Sequence, residues 1–403
     1  MQQVALTHHR PLTVMKSYGL LGQHLSHSHS PALHRLLGDY PYALIEKSPQ
    51  ELEPYLKEGD FAGLNVTIPY KKAVLPFMDE LSPRARAAGS VNTILRRKDG
   101  TLFGENTDWR GFSYLLQASG GDPSGKKVLV LGSGGASQTV QGVLKELGAR
   151  VTVISRRGPD HYGNLERHRD ADWIINTTPV GMYPHNGEKP LQLEGFPSLS
   201  YVFDLIYNPL RTALLMEAKA RGIPCQSGLP MLVAQAFYSS RLWNRTHRKG
   251  SQIPMLQEML QSQLANIIYI GMPGCGKSTM ARQAGDETGL PVYDSDKVFL
   301  EEEGLSPEQY IHQFGEEAFR EKETKILARL GAMSGVIIAT GGGAVTRPEN
   351  YPLLHQNGTI LWLKRPPEAL NISAKPLFHR PDLETLYEER KALYEAWADK
   401  VIT

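Results

Sequence analysis

The chain has 403 residues with 44 Lys and Arg against 42 Asp and Glu, and its formal net charge of +2 gives no reason to expect nucleic acid or an acidic membrane as a partner. Hydrophobic residues make up 41% of the chain, and this length is typical of two or three packed domains. Only two cysteines are present, Cys225 and Cys275, and no apolar run is long enough for a signal peptide or a membrane span. We therefore expect a soluble cytoplasmic protein without a disulfide framework.

The first clear helix signal is SPALHRLLG, in which Ser30 is the predicted N-cap, Pro31 the first helical residue and Gly38 the end. Further along, short apolar runs alternate with helix-length segments, and this alternation predicts parallel sheets in α/β domains. The predicted strands are KVLVLG, RVTVIS, DWIINT, NIIYIG, GVIIAT and TILWLK.

A glycine-rich turn, LGSGGAS at residues 131–137, follows the first of these strands and opens a helix. Gly132 permits a tight turn, and Gly134 lets the backbone approach a pyrophosphate. The helix N-terminus at Gly135 and Ala136 supplies N–H donors and a partial positive charge. Ser137 stands where the third glycine of the usual pattern would be, which leaves a plain structural turn as an alternative.

The next strand ends in Ser155, Arg156 and Arg157. An NAD site usually carries Asp or Glu at this point, about 20 residues after the turn, to hold the ribose hydroxyls. Two guanidinium groups instead suit a ribose 2′-phosphate. We therefore predict an NADP(H) site, with a solvated arginine pair as the alternative.

The segments on both sides of the turn contain a longer set of motifs. They are YGLLGQHLSHSHSPALH (18–34), GLNVTIPYK (63–71), SVNT (90–93), ENTD (105–108), NTTPVGM (176–182), DLIYNPLRTALL (204–215) and GLPMLVAQA (228–236). With the glycine turn, this set resembles shikimate dehydrogenase in order and spacing. The resemblance implies a two-lobed α/β enzyme, with a substrate-binding lobe at 16–110 and a Rossmann NADP-binding lobe at 111–245 whose C-terminal helix returns to the substrate lobe.

The substrate that the resemblance implies is 3-dehydroshikimate, a polyhydroxylated ring carboxylate. Lys71 and Asp108 match the family's catalytic pair: a lysine is a reasonable proton donor near a developing alkoxide, and the aspartate would orient it and hold a ring hydroxyl. Which of the two transfers the proton is open at this point. Hydroxyl and amide partners for the substrate are predicted at Ser28, Ser30, Asn65, Thr67, Asn92, Tyr207 and Gln235. Gly228 joins the predicted NADP site. A quinate dehydrogenase that uses NAD is a rival, which Arg156 and Arg157 oppose.

A second phosphate loop follows a polar stretch. Residues 246–265 are interpreted as a linker, and the strand after it leads into Gly271-x-x-x-x-Gly276-Lys277-Ser278. This is a P-loop in its strand–loop–helix context. Its backbone N–H groups would cradle the β-phosphate, Lys277 would reach the β- and γ-phosphate oxygens, and Ser278 would ligate Mg²⁺.

Later motifs point to the phosphate acceptor. Asp294 and Asp296 lie at i and i+2 on one side of a strand end, where one can hold the metal's water shell and the other can meet an acceptor hydroxyl. Arg320 and Arg390 suit capture of a carboxylate, although each alone would be interpreted as a surface ion pair. Three glycines after a buried strand, Gly341, Gly342 and Gly343, expose backbone N–H groups. Together these motifs resemble shikimate kinase over residues 266–403.

This second resemblance implies a P-loop kinase domain with a parallel sheet, in which Asp296, both arginines and the glycine run contact shikimate. It places the metal at Ser278 and Asp294. The predicted ATP-binding residues are Gly271, Gly274, Gly276, Lys277, Ser278, Thr279 and Lys375. Lys375 stands where the family's lid usually has an arginine, and Arg380 is a candidate substitute. The chain ends at DKVIT, where family members usually continue into another helix.

The two resemblances predict a bifunctional enzyme in which the product of the first reaction is the substrate of the second. Its small-molecule substrates would be 3-dehydroshikimate and shikimate, and its cofactors NADP(H), ATP and Mg²⁺. Lys375 and the short end leave a rival open, an active dehydrogenase with a degenerate kinase-like binding or regulatory domain. The relative orientation of the domains is open, and a homo-oligomer is compatible with the sequence.

Overall fold

The computed structural model describes residues 17–25, 28–244, 249–370 and 383–403. Helices cover three separate β-sheets, and the three sheets follow one another along the chain. Lys375 and Arg380 of the predicted lid lie outside the described residues. Within the described parts of the chain, no helix is both long and apolar enough to cross a membrane.

The first sheet has six strands and mixed pairing. Its strands are β1 (Tyr18–Gly22), β2 (Tyr42–Glu46), β3 (Gly63–Val66), β4 (Glu80–Leu81), β5 (Thr93–Arg96) and β6 (Leu102–Glu105), in the order β2-β1-β3-β5-β6-β4. The helices of this part are α1 (Ser30–Leu37), α2 (Pro49–Glu58) and α3 (Pro83–Ala88). Strand β5 is antiparallel to both β3 and β6. It forms a hairpin with β6, and the turn contains Gly100 at φ +88°.

Helix α1 begins differently from the sequence prediction. Its N-cap is His29, and Ser30 is already its first residue. The predicted cap at Ser30 is therefore wrong, and the Ser30 side chain instead lines a cavity described below. Gly38 ends the helix as predicted.

The second sheet is entirely parallel, as predicted. Its strands are β7 (Lys127–Leu131), β8 (Arg150–Ile154), β9 (Trp173–Asn176), β10 (Tyr201–Asp204) and β11 (Cys225–Ser227), in the order β11-β10-β9-β7-β8. The helices around it are α4 (Thr107–Ser119), α5 (Gly135–Glu146), α6 (Ala213–Ala220) and α7 (Leu229–Asn244). The chain reverses its direction across the sheet at β7, so the carboxyl end of β7 is the point where α/β sheets bind ligands.

Helices α4 and α7 join the first two sheets. Ser239 of α7 hydrogen-bonds the side chains of Asn65, Thr93 and Thr107 at 2.8, 2.8 and 3.0 Å. Near the end of α7, the indole N–H of Trp243 donates to the Ile94 carbonyl at 3.0 Å. Helix α7 therefore packs back onto the first sheet.

The segment interpreted as a linker contains a buried helix, α8 (Ile253–Leu264). Its apolar side packs against α1 and α7, in a cluster with Leu33, Leu37, Val233, Phe237, Ile253, Leu256, Leu260 and Leu264. Only Ala265 separates α8 from the first strand of the third sheet. The connection is therefore an ordered part of the core and not an extended tether.

The third sheet is also entirely parallel, which confirms the prediction. Its strands are β12 (Asn266–Ile270), β13 (Val292–Asp294), β14 (Ile337–Ala339), β15 (Gly358–Leu363) and β16 (Lys400–Ile402), in the order β13-β14-β12-β15-β16. The helices are α9 (Lys277–Thr288), α10 (Ser295–Glu303), α11 (Pro307–Phe314), α12 (Glu316–Ala332), α13 (Asn350–His355) and α14 (Leu383–Trp397). The P-loop follows β12, the central strand.

Replacing Leu260 by alanine tests the packing of α8. Leu260 is 0% exposed, and removing its side chain should lower the free energy of unfolding by roughly 2–5 kcal/mol. Met259, on the other side of the helix, is 43% exposed, so Met259→Ala should stay within about 0.5 kcal/mol of the wild type. Urea unfolding of both variants measures the difference, and equal effects would show that α8 does not pack as described.

Candidate active sites

A cavity of about 660 Å³ lies between the first two sheets. It is lined by side chains from β1, β3 and α1 on one side, and from the segments that follow β9 and β10 on the other. It brings together the predicted catalytic and substrate-binding residues Ser28, Ser30, Asn65, Thr67, Lys71, Asn92, Asp108, Tyr207 and Gln235. Residues that are up to about 200 positions apart in sequence therefore face one space.

Lys71 and Asp108 form an ion pair in the wall of this cavity. The lysine Nζ donates to the aspartate Oδ2 at 2.7 Å, and the two side chains are 19% and 9% exposed. Lys71 lies in the turn after β3, and Asp108 lies in the first turn of α4. Because the carboxylate holds the ammonium group at the cavity surface, Lys71 can deliver a proton to a bound group.

Two asparagines in the wall are held by different partners. The Asn92 side chain accepts from the Thr107 N–H at 2.6 Å and donates to the Thr107 hydroxyl at 3.0 Å. The Asn65 amide donates to Ser239 at 2.8 Å and to Thr93 at 3.2 Å. Since Asn65 also receives hydrogen bonds from Tyr42 and His34, all its hydrogen-bonding positions are used within the protein. Asn65 is therefore a wall residue with a fixed orientation.

His34 supports this wall and was not predicted as a site residue. Its ring stacks on Tyr42, with 3.8 Å between ring centroids. Burial lowers the pKa of His34 to about 3, which outweighs the opposite effect of its hydrogen bond with Asn65. The neutral ring donates from Nε2 to Asn65 at 3.1 Å and accepts from the Tyr40 hydroxyl at 2.7 Å.

The glycine turn after β7 has the shape of a dinucleotide-binding loop. Gly132 has φ +106°, and a Cβ there would lie 2.9 Å from the Thr177 hydroxyl oxygen, so no other residue fits without strain. Ser137, in the position of the missing third glycine, donates its hydroxyl to the Gly132 carbonyl at 2.6 Å. The serine therefore closes the turn. A Cβ on Gly135 would lie 3.5 Å from Cβ of Lys71, which places the turn beside the Lys71–Asp108 pair.

The other predicted NADP residues lie on both sides of this turn. Ser155 at the end of β8 donates its hydroxyl to the Arg157 carbonyl at 2.8 Å. The Arg156 and Arg157 side chains are exposed, and within the described parts of the chain neither has a carboxylate partner. Ala136 and Gly228 line the cavity itself. The exposed guanidinium groups can accept an anionic ligand at the edge of the sheet.

Thr177 and Thr178 line the cavity but were missed by sequence reasoning. Thr177 donates its hydroxyl to the Leu131 carbonyl at 2.6 Å, next to the glycine turn. Both threonines directly follow β9, at the carboxyl end of a strand that pairs with β7. That position was a usable signal, because ligands bind outside the carboxyl ends of parallel strands.

Asp204 is a second missed residue, and it holds a loop of the cavity. It is fully buried, accepts from the Ile206 N–H at 3.1 Å and the Thr212 hydroxyl at 2.7 Å, and receives a third hydrogen bond from Asn176 at 3.0 Å. Burial raises the pKa of Asp204 to about 7, against the lowering effect of these hydrogen bonds. The carboxyl therefore links the two ends of the segment 205–212, which carries Tyr207.

In the P-loop after β12, the side chain of Lys277 hydrogen-bonds the backbone of the loop itself. Gly271, Gly274 and Gly276 have φ of +144°, +77° and +96°, which only glycine adopts readily. Lys277 is buried, and its Nζ donates to the Gly271 and Met272 carbonyls at 2.8 and 2.9 Å. A phosphate that entered this loop would meet backbone N–H groups and the lysine together.

Ser278 and Asp294 meet beside the P-loop. The serine hydroxyl donates to the Asp294 Oδ2 at 2.5 Å, and Oδ1 of the same carboxylate accepts from the Asp296 N–H at 3.1 Å. A hydroxyl and a carboxylate beside a phosphate loop are the oxygen ligands that Mg²⁺ prefers. The predicted metal pair is therefore brought together, and Thr279 lies in the first turn of α9 next to it.

The predicted acceptor residues surround the glycine run after β14. A Cβ on Gly341 would lie 3.0 Å from Oδ1 of Asp296, and the Arg390 guanidinium donates to the Gly342 carbonyl at 3.0 Å. A Cβ on Gly343 would lie 2.0 Å from the Arg320 guanidinium. Asp296, both arginines and the three glycines therefore form one cluster.

Glu323 belongs to this cluster and was missed. It accepts from Arg320 at 2.5 Å, and Arg320 also contacts Glu316 at 3.2 Å. Burial raises the pKa of Glu323, although Arg320 opposes the shift. The i, i+3 spacing from Arg320 in EEAFREKE was the signal for this pair. Arg320 therefore carries less uncompensated positive charge than the sequence suggested.

These folds and sites define a two-lobed nucleotide-dependent dehydrogenase joined, in one chain, to a P-loop kinase domain. Residues 20–94 match the model of the shikimate dehydrogenase substrate binding domain, and residues 273–403 match the model of shikimate kinase. Both matches agree with the resemblances found in the sequence.

Relatives and solved structures point to the same family. A protein of Caldicellulosiruptor bescii named shikimate dehydrogenase (NADP(+)) is 36% identical over 261 residues, which are 57% of this chain and 89% of that protein. One of Oleidesulfovibrio alaskensis with the same name is 38% identical over 264 residues, 60% of this chain and 92% of that protein. The Thermus thermophilus shikimate 5-dehydrogenase structure, in complex with NADP(H) and shikimate, is 36% identical, has a TM-score of 0.55 and covers 61% of this chain and 100% of its own.

The chain therefore belongs to the shikimate dehydrogenase family, and it carries a shikimate kinase domain at its C-terminal end. The chain thus combines an oxidoreductase family with a phosphotransferase family.

Replacing Asp204 by asparagine should change how stability depends on pH. Because the folded pKa of about 7 lies above the unfolded value near 3.8, the folded chain holds this proton more tightly. The contribution is fully present below about pH 4, and up to about 4 kcal/mol of it is lost as the pH rises through 7. Asp204→Asn keeps the hydrogen-bonding shape without the ionisation, so its melting temperature should fall less between pH 5 and pH 8.

Asp122 is exposed and provides the matched control. Asp122→Asn should keep the wild-type pH dependence. Equal slopes for the wild type and Asp204→Asn would show that Asp204 does not titrate in this range.

Proposed function

We propose that the chain reduces 3-dehydroshikimate to shikimate with NADPH at the first site, and phosphorylates shikimate to shikimate 3-phosphate with MgATP at the second. The observation that carries the proposal is the cavity wall, where the Lys71–Asp108 pair, at 2.7 Å, lies beside the dinucleotide turn and among hydroxyl and amide groups. Names of relatives in the dehydrogenase family support the first reaction, and the match to shikimate kinase supports the second.

In the first reaction, NADPH supplies the hydride to the ring carbonyl. Lys71 donates the proton to the carbonyl oxygen as negative charge develops there, and Asp108 holds the ammonium group in place. Ser28 and Ser30 also line the cavity, and their hydroxyls are suited to the substrate carboxylate. Asn92, Thr67 and Gln235 are suited to the ring hydroxyls.

The choice of NADP(H) rests on the end of β8. Arg156 and Arg157 are exposed and can hold a 2′-phosphate through charge-assisted hydrogen bonds. The quinate dehydrogenase of Corynebacterium glutamicum, solved in complex with NAD, is a more distant neighbour at 28% identity. Since no carboxylate ends β8 in this chain, we favour NADP(H) over NAD.

In the second reaction, the acceptor hydroxyl of shikimate would be held by Asp296, which lies beside the glycine run. Arg390 and Arg320 are suited to the shikimate carboxylate, and the Gly341–Gly343 segment lies against both arginines. Ser278 and Asp294 would hold Mg²⁺, directly or through its water shell, and Lys277 would contact the transferred phosphate. Lys375 stays a prediction, because it lies outside the described residues.

We also propose domain limits on this basis: a substrate lobe at 16–110, an NADP lobe at 111–245 and a kinase domain at 266–403. The connecting residues 246–265 are best assigned with the dehydrogenase, because the apolar side of α8 packs against α1 and α7.

One observation favours the rival, in which the C-terminal domain binds ligands without turnover. Arg320 is already paired with two carboxylates, Glu323 and Glu316. This pairing weakens the positive charge available for a carboxylate substrate. Purified chain incubated with shikimate and MgATP, without nicotinamide cofactor, separates the two proposals by the presence or absence of shikimate 3-phosphate.

Two lysine substitutions should separate the reactions. Lys71→Ala should lower NADPH-dependent reduction by about 10²–10⁴-fold, the usual contribution of a positioned proton donor, and leave phosphorylation unchanged. Lys277→Ala should abolish phosphorylation and leave reduction unchanged. Both activities are measured on each purified variant, with circular dichroism as the check on folding.

The outcomes are distinct. Product that depends on Lys277 excludes a contaminating kinase. A folded variant that loses both activities would contradict the assignment of two separate sites, and phosphorylation that survives in Lys277→Ala would contradict the P-loop assignment.

Replacing Arg156 and Arg157 by alanine should raise the KM for NADPH by about 10- to 100-fold, since a hydrogen bond to a charged group contributes roughly 1.5–3 kcal/mol and the two exposed side chains would share one phosphate. The KM for NADH should change little, because NADH has no 2′-phosphate. Arg150 at the other end of β8 is exposed, and Arg150→Ala is the matched control. Equal losses with both cofactors would mean that the pair does not bind the 2′-phosphate.

A further inference from the structure

The loop of residues 205–212 faces both halves of the chain. Asp204 closes its base by accepting hydrogen bonds from Ile206 and Thr212. On one side the loop places Tyr207 and Asn208 in the wall of the dehydrogenase cavity. On the other side it touches the kinase domain.

Four residues between the end of α13 and the start of β15, 355–358, hold the loop. The Leu210 N–H donates to the Asn357 side-chain oxygen at 2.8 Å, and the Arg211 N–H donates to the Gln356 carbonyl at 2.9 Å. The Arg211 guanidinium donates to the carbonyls of His355 at 2.5 Å and Gly358 at 3.0 Å. These acceptors end α13 and begin β15, so the positive charge lies at the negative end of a helix.

Asn357 is itself fixed from within the kinase domain. It is 1% exposed, and its amide donates to the Ala332 and Met333 carbonyls at 3.4 and 3.2 Å. Its own carbonyl accepts from the Asn266 N–H at 2.9 Å, at the start of β12. The side-chain oxygen that receives Leu210 is therefore held by the end of α12 and the centre of the kinase sheet.

Apolar packing adds to this contact. Leu210 is buried in the cluster that contains Leu256 and Leu260 of α8 and Leu33 of α1. Helix α1 also carries Ser30, a lining residue of the same cavity. The loop is thus held between the kinase domain, the connecting helix and the substrate-binding helix.

On its cavity side the loop presents two polar groups, the Asn208 side chain and the Tyr207 hydroxyl. The Asn208 Oδ1 is buried and finds no hydrogen-bond partner among the residues that the structure describes. Burial raises the pKa of the Tyr207 phenol, so this hydroxyl remains a neutral donor. An acceptor and a donor at one wall suit a hydroxylated substrate.

From these contacts we infer that Arg211 and Asn357 are positioning residues for substrate binding by the dehydrogenase. The kinase domain holds the 205–212 loop, and so fixes Tyr207 and Asn208 at the cavity. The inference rests on the proposed reduction at the first site. It predicts that loosening a contact in the kinase domain weakens shikimate binding in the dehydrogenase, although no kinase residue enters that cavity's lining.

The test is steady-state kinetics of the full chain, with shikimate oxidation by NADP⁺ as the assay. Arg211→Ala and Asn357→Ala should each raise the KM for shikimate about tenfold, equivalent to about 1.4 kcal/mol. The KM for NADP⁺ and the kcat should stay within about twofold. Arg211→Lys keeps the charge without the planar group, so it should recover part of the affinity.

Arg221, exposed at the end of α6, gives the matched control. Arg221→Ala should keep the wild-type KM for shikimate. Amide hydrogen exchange should be faster at Leu210 and Arg211 in Asn357→Ala, which shows release of the loop directly. If Asn357→Ala does not fold, Arg211→Ala decides, because the Arg211 side chain reaches the interface from the loop side.

Several outcomes would overturn the inference. One is an unchanged KM for shikimate in folded Arg211→Ala. Another is a parallel loss of kcat and of both KM values, which would indicate general loosening. A wild-type chain that does not oxidise shikimate with NADP⁺ would instead refute the proposed reduction itself, and that failure is seen before any variant is compared.

Discussion

Parallel strands end at one edge of their sheet, and both sites of this chain depend on that constraint. In the second sheet β7 lies between β8 and β9, and the chain passes from β7 to β8 on one side before it crosses to β9 on the other. In the third sheet β12 lies between β14 and β15, and the chain likewise passes to both sides of it. A gap between diverging connections therefore opens at Gly132 and at Gly271. Glycine is needed at both, because the backbone turns sharply there and must expose its N–H groups.

Local patterns were enough to predict these two sheets and the residues that gather at their edges. Short apolar runs mark β7, β8, β9, β12, β14 and β15, and helix-length segments separate them. The runs are almost continuous because strands of a parallel sheet are buried on both faces. The motif residues of the first site meet in one cavity for the same reason, because most of them follow strands. What could not be predicted depends on contacts between distant segments. The apolar residues around Asp204 in YVFDLIY indicate a buried strand, but its hydrogen-bond partners Thr212 and Asn176 are brought to it only by the fold.

The connection between the dehydrogenase part and the kinase domain also could not be predicted from local sequence patterns. The segment 246–265 is polar on average, and this average suggested a linker. Its four buried positions, Ile253, Leu256, Leu260 and Leu264, lie on one side of α8 and meet α1 and α7. If the connection were a flexible tether, the two sites would meet only through random motion of the chain. A packed helix followed by one residue instead fixes the connection, so that hydrogen bonds such as Arg211 to His355 can form between the two halves.

The charge balance at the kinase acceptor cluster depends on Glu323. Arg320 and Arg390 bring two positive charges to the glycine run, whereas Asp296, Glu316 and Glu323 bring three carboxyl groups. With all three ionised, an incoming carboxylate would meet a net negative cluster. Burial raises the pKa of Glu323, Arg320 opposes this shift, and Glu323 accepts a hydrogen bond from Arg320 at 2.5 Å. The same sequence segment, 316–323, therefore provides both Arg320 and the two carboxyl groups that offset its charge.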